Sequence, residues 1–177
     1  LGITFVHVTH TQPEAIALAD MVVVMDHGRI DQAGTAQDIF ARPATPYVAR
    51  FMGGQNVLSG DVARAQGGEI ELAGPHGRVF VARTDHPARA AGARMSFSIH
   101  LQKGAGEAAG RPNAIVGRVT ETEYQGTFVK VTMDVDGRDP FVVFMADTAY
   151  FADPLSVGDA AVASWKAEDV HVLDRPD

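Results

Sequence analysis

His10 is the residue best placed to do chemistry, standing in Val8-Thr9-His10-Thr11-Gln12 at the end of an apolar run and just before a helix-start signal. A histidine at a strand's C-terminal edge, facing a helix N-terminus, can set an imidazole N–H against a phosphate or an attacking water. A structural histidine satisfied by its neighbours fits the same spacing, and both readings stay open on spacing alone. His7 lies three residues earlier, so on a strand it faces the other side, which argues against a His-His metal pair. His27 falls in a turn signal, and His76, His86, His100 and His171 are scattered without ligand spacing. No metal site is therefore expected. No glycine-rich phosphate loop ending in Lys is present, nor a paired-carboxylate or Ser/His/Asp pattern. Gly53-Gly54-Gln55 reads as a helix stop, and Trp165 as a core or barrel-closing residue.

Composition narrows the partners. The net charge of -7, divided as -2 over residues 1–56 and -5 beyond, leaves no basic surface to neutralise phosphate, so nucleic acid and anionic membrane are disfavoured. The absence of Cys excludes disulfides and thiolate metal sites, and fits a reducing compartment. No apolar run reaches the roughly 18 residues of a membrane span, so a membrane connection would have to run through a partner.

The elements around His10 follow from local signals. The apolar opening run predicts a buried strand leading to His10. Thr11 with Glu14 three residues later is a capping-box pattern, and Pro13 suits a first turn, so a helix is expected over residues 12–19. Residues 21–25 (MVVVM) predict a buried strand; Asp26-His27-Gly28-Arg29 a turn with positive φ at Gly28; and residues 30–33 the returning strand. Thr35 with Asp38 caps a helix over residues 36–41, and Thr45-Pro46 opens another through Phe51. This βαββαα stretch of about 56 residues is too small for a doubly wound domain of its own, and the start without Met in a core strand suggests the C-terminal part of a longer protein.

From Asn56 the pattern changes to short alternating segments broken by Gly, Pro and Asp, as in a β barrel or sandwich. Residues 95–101 and 129–135 alternate most clearly. A weak internal repeat matches Val57-Leu58-Ser59-Gly60-Asp61-Val62 to Ala114-Ile115-Val116-Gly117-Arg118-Val119, and residues 92–97 to residues 158–163. Two β units are expected, over about residues 57–102 and 113–173, joined by a Gly/Ala-rich linker over residues 103–112.

Several blocks in order carry a family resemblance. They are Val8-Thr9-His10-Thr11-Gln12, Glu14-Ala15, Leu18-Ala19-Asp20, Val22-Val23-Val24-Met25-Asp26, Gly28-Arg29-Ile30 and Gln32-Ala33-Gly34. Together they resemble the end of the ATP-binding subunit of ABC-type importers, and Tyr47 to Gly53 is similar to that family's exit from its nucleotide domain. The region beyond is similar to the transport-associated OB (TOBE) domain of the polyamine, ferric-iron and sugar branch, with Gly158-Asp159 and the stretch from Trp165 to Leu173 well kept. The resemblance implies an α/β remnant of a P-loop ATPase domain over residues 1–56, followed by an all-β OB-like barrel over residues 57–177. It makes His10 the switch-loop histidine that contacts the ATP γ-phosphate and helps hold the attacking water. ATP and Mg2+ are then cofactors of the complete protein, and the partners are two transmembrane permease subunits, a second ATPase subunit and, indirectly, a solute-binding protein. The location implied is the cytoplasmic face of the bacterial plasma membrane. Polyamine or ferric iron is the expected cargo, with sugar an alternative; a small-molecule or oxyanion-sensing β domain is a reading from another class.

Two departures stand out: Thr11 occupies a position usually Asp in that branch, and His100-Leu101-Gln102 stands where Arg-Pro-Glu is usual. The phosphate loop, signature segment and magnesium-holding acidic strand of the family precede the matched region. The chain alone is therefore expected neither to bind nor to hydrolyse ATP appreciably.

Overall fold

The computed structural model describes residues 2–53, 56–84, 94–97, 100–104, 111–137 and 140–173. Two clusters of buried side chains organise them, a small one around a hairpin and a larger one inside the later strands.

The hairpin forms where local signals place it. β1 (Val22–Asp26) pairs antiparallel with β2 (Arg29–Gly34), and Asp26 faces Arg29 across the turn. His27 (φ 43) and Gly28 (φ 79) both take positive φ, the conformation that matches a two-residue turn to the twist of its strands. Only one face of β1 is covered. Val22 and Val24 are buried, whereas Met21, Val23 and Met25 are exposed, so the fully buried strand expected here is half-buried instead.

Helices then fold over the covered face. Thr35 caps α2 (Ala36–Ala41) by accepting from the Asp38 N–H at 3.1 Å and donating to Asp38 Oδ2 at 2.6 Å. Thr45 accepts from the Val48 N–H at 3.2 Å at the head of α3 (Pro46–Gly53), and its hydroxyl donates to Asp31 Oδ2 at 2.8 Å, fastening that helix to β2. Ile39, Val48 and Met52 meet Val22 and Val24 in the small core.

The opening run does not form the expected strand. Residues 2–9 adopt no regular structure, and Ile3, Phe5, Val6 and Val8 are exposed by 78%, 83%, 81% and 90%. An apolar run becomes a buried strand only where neighbouring strands take up its backbone groups, and no described strand lies beside it. The first helix, α1 (Gln12–Leu18), does form, with Pro13 in its first turn.

Beyond Asn56 the chain is almost all β. β3 (Val57–Ser59), β4 (Asp61–Gln66), β5 (Glu69–Ala73), β6 (Val79–Arg83), β7 (Arg94–Phe97) and β8 (His100–Lys103) come first. β9 (Ala114–Tyr124), β10 (Phe128–Asp134), β11 (Phe141–Ala146), the helix α4 (Asp147–Ala152), β12 (Ala160–Ser164) and β13 (Val170–Val172) follow. The strands form sheets of order β11-β10-β9-β12-β8, β13-β7-β3 and β4-β5-β6. The single strand expected over residues 95–101 is thus two strands in different sheets. Residues 98 and 99 between them, like most of the anticipated 103–112 linker, lie outside the described residues.

The repeated sequence becomes an interlocked pair. β8 of the first repeat pairs with β12 of the second, and β13 of the second pairs with β7 of the first. Phe80, Trp165 and Phe141 meet in one core, with Trp165 centred 5.9 Å from Phe80 and 6.4 Å from Phe141, so Trp165 is a core residue. The two repeat glycines sit where strands nearly touch: a Cβ on Gly60 would lie 3.0 Å from the Ala73 carbonyl oxygen, and one on Gly117 2.7 Å from that of Asp134. Each is therefore fixed by packing of backbone on backbone.

Candidate functional site

The segment before α1 carries the strongest sequence signal. His10 is exposed at a bend immediately ahead of the helix, presented by an irregular segment in place of the expected strand. The capping box is also rearranged. Thr11 at the N-cap makes no side-chain cap bond, and Thr9 takes over. The Thr9 hydroxyl accepts from the Thr11 N–H at 3.0 Å and donates to Glu14 Oε2 at 2.6 Å, while the Thr11 hydroxyl lies 3.0 Å from that of Thr9. His7 Nε2 stands 3.5 Å from the same Glu14 oxygen, so His7 turns to Glu14. The hydrogen bonds from Thr9, then Thr11 and His7, hold the Glu14 carboxyl below its ordinary pKa by favouring its charged form.

Among the described residues, His27, His76 and His171 stay apart from one another, each with its own partner. His27 Nδ1 lies 2.8 Å from Asp26 Oδ1 in the hairpin turn, and His76 Nε2 3.8 Å from Asp136 Oδ2. His171 Nε2 bonds the Pro43 carbonyl at 3.1 Å, linking β13 to the turn before α3. His86 and the side chain of His100 lie outside the described residues, as do Gly54 and Gln55 of the expected helix stop. Among the described residues no three His, Asp or Glu side chains gather to hold a metal ion.

Two polar residues that carried no expectation prove central to the barrel. Asn56 and Asn113 directly precede the two repeated hexads and are buried, each placing its carboxamide on the main chain of a strand of the other repeat. Asn56 bonds both the N–H and the carbonyl of Val142 on β11, at 2.7 and 2.5 Å; Asn113 bonds both groups of Val81 on β6, at 2.7 and 2.9 Å. Their recurrence just before each hexad was the available signal. Arg78 adds a cross-repeat ion pair, its Nη2 lying 2.6 Å from Asp136 Oδ2, between the β5–β6 and β10–β11 connections.

Comparison with known proteins agrees with this architecture. Residues 98–173 match the TOBE domain family. The spermidine/putrescine import ATP-binding protein PotA of Frankia alni is 34% identical over 99% of this chain and 40% of its own length. PotA of Thermobifida fusca is 32% identical over 98% of this chain and 45% of its own length. The chain thus spans less than half the length of these relatives. Among solved structures, the cytoplasmic molybdate-binding protein ModG, with molybdate bound, superposes with a TM-score of 0.58 over 68% of this chain and 96% of its own, at 20% identity. That likeness shows the fold, an all-β OB-like arrangement. No helix among the described residues is long and apolar enough to cross a membrane. The chain corresponds to the C-terminal, TOBE-bearing region of the ABC-importer ATP-binding subunits.

Proposed function

We propose that this sequence serves as the C-terminal region of the ATP-hydrolysing subunit of an ABC importer that takes up a polyamine of the spermidine/putrescine kind. The observation that carries the reading is the alignment of nearly the whole chain with PotA proteins of separate bacteria. Residues 1–56 would be the end of the α/β nucleotide domain and residues 57–177 the TOBE barrel. The exposed apolar side chains of residues 3–30 support this division, because Phe5, Val8, Leu18, Met21 and Ile30 form the kind of surface that a continuing sheet and its helices cover.

His10 would face the ATP γ-phosphate and orient the attacking water, a role suited to an exposed imidazole ahead of a helix. The described residues offer no acidic cluster for Mg2+, and the sequence has no glycine-rich loop with Lys to cradle phosphates, so nucleotide and metal would be held by other parts of the subunit. Two permease subunits, a second ATPase subunit and a solute-binding protein would complete the assembly on the cytoplasmic face of the plasma membrane.

The test is ATP hydrolysis and polyamine uptake by the complete subunit with its permeases. His10→Ala should reduce turnover by at least about a hundredfold while ATP still binds, the scale of losing a group that acts in the transition state. Hydrolysis at the unmodified rate would remove the role given to His10. In a second reading the barrel itself binds a small oxyanion, as the similarly folded ModG binds molybdate. Saturable heat of molybdate binding to this chain would support it.

A further inference from the structure

We propose that Thr9, held by Glu14, is a positioning residue for His10. The inference rests on the reading of His10 as the γ-phosphate histidine and adds the device that aims it. His10 is exposed on a bend, and among the described residues no strand pairs with its neighbours. One hydroxyl bridges the residues around it. The Thr9 O–H is donated to Glu14 Oε2 at 2.6 Å, which leaves its lone pairs free to accept the Thr11 N–H at 3.0 Å, with the Thr11 hydroxyl also 3.0 Å away. The residues on either side of His10 are thereby tied to one another and to a carboxylate on the first turn of α1, while the imidazole between them stays clear of the network. His7 closes the far side at 3.5 Å from the same carboxylate oxygen. The depressed pKa of Glu14 agrees with this arrangement, since the Thr9 bond is its largest cause and keeps the carboxylate charged and accepting.

Threonine is suited to the task because its branched Cβ restricts χ1 and holds the hydroxyl on one bearing. Serine retains the donor and both acceptor positions. Valine keeps the shape and removes the bonds to Glu14 and to the Thr11 N–H. The substitutions at residue 9 therefore separate hydrogen bonding from packing.

Two measurements test the proposal, one on this chain and one on the complete subunit. In this chain, carbon-detected NMR titration of the Glu14 carboxyl should give a midpoint that rises in Thr9→Val and stays low in Thr9→Ser; an unmoved midpoint in Thr9→Val overturns the proposal. In the complete subunit assayed with Mg-ATP, Thr9→Val should lower kcat by about tenfold and shift KM by less than about twofold, with Thr9→Ser recovering most of the rate, as expected for misplacing a group that acts in the transition state. Full kcat in Thr9→Val, beside an inactive His10→Ala, overturns this inference and leaves the role of His10 standing. Equal rates in His10→Ala and the unmodified protein overturn both.

Discussion

Asn113 and Val81 are joined as two paired strand residues would be, but through a side chain. The Asn113 carboxamide accepts from the Val81 N–H at 2.7 Å and donates to its carbonyl at 2.9 Å, while the Asn113 main-chain N–H donates to the Val79 carbonyl at 3.1 Å. β6 is an edge strand, and this bond satisfies its backbone just where it enters the core. Asn56 performs the same task on Val142 of the edge strand β11. The two repeats therefore seal each other's open edges. Asn113 also sits at φ 56, a left-handed conformation that asparagine tolerates better than most residues.

Asn113→Ala should cost about 2–4 kcal/mol in urea unfolding, because it strands the part-buried N–H and carbonyl of Val81 and places Ala in a left-handed conformation. Asn56→Ala should cost about 1–3 kcal/mol, since Asn56 has no positive φ to add. A loss under about 0.5 kcal/mol in both variants would show that water replaces the carboxamides and that the clamps do not hold the barrel.

Gly117→Ala should destabilise by about 1–3 kcal/mol, since the added Cβ would lie 2.7 Å from the Asp134 carbonyl oxygen and 2.9 Å from Val135 Cγ2. Gly34→Ala is the control. Its Cβ would meet Ile39 only at 3.8 Å, an ordinary contact, and thermal unfolding of that variant should stay within about 0.5 kcal/mol of the parent.

His171→Ala removes the bond to the Pro43 carbonyl, which couples the barrel to the turn before α3. The expected cost is about 1 kcal/mol, and hydrogen exchange should quicken at the start of α3 while the protected core of β9 and β10 is unchanged. Uniform change across the molecule would mean that His171 supports the barrel alone.

Acid should loosen the turn before β12. The Ser156 N–H and then the Lys103 ammonium hold the Asp159 carboxyl below its ordinary value, and Asp159 in turn raises Lys103. A depressed carboxylate adds stability that is complete above its unfolded pKa and is lost as pH falls through its folded value. A raised lysine adds stability that is complete below its unfolded pKa and is lost as pH climbs through its folded value. Both contributions are thus full from about pH 5 to pH 9. Asp159→Asn should reduce stability within that window and flatten the loss below about pH 4; parallel stability curves for parent and variant over pH 2–7 would contradict the linkage.

The hairpin at Asp26 to Arg29, the Thr35 cap and the helix opened by Pro46 were all legible in the sequence, because each depends on residues within about four positions of one another. The repeat behind β3–β4 and β9 was legible too, since it is written as order and spacing. Tertiary structure decided the rest. Whether residues 2–9 become a strand depends on neighbours that no local pattern supplies, and the exposure of Phe5 and Val8 records their absence among the described residues. The division of the expected 95–101 strand into β7 and β8 follows from partners far along the chain, β13 for one half and β12 for the other. Asn56 and Asn113 look like ordinary turn residues until Val142 and Val81 arrive beside them. Local hydrogen bonds are fixed by nearest residues and so can be read in order, whereas pairing between strands is settled by which distant backbone groups the closed core brings within reach.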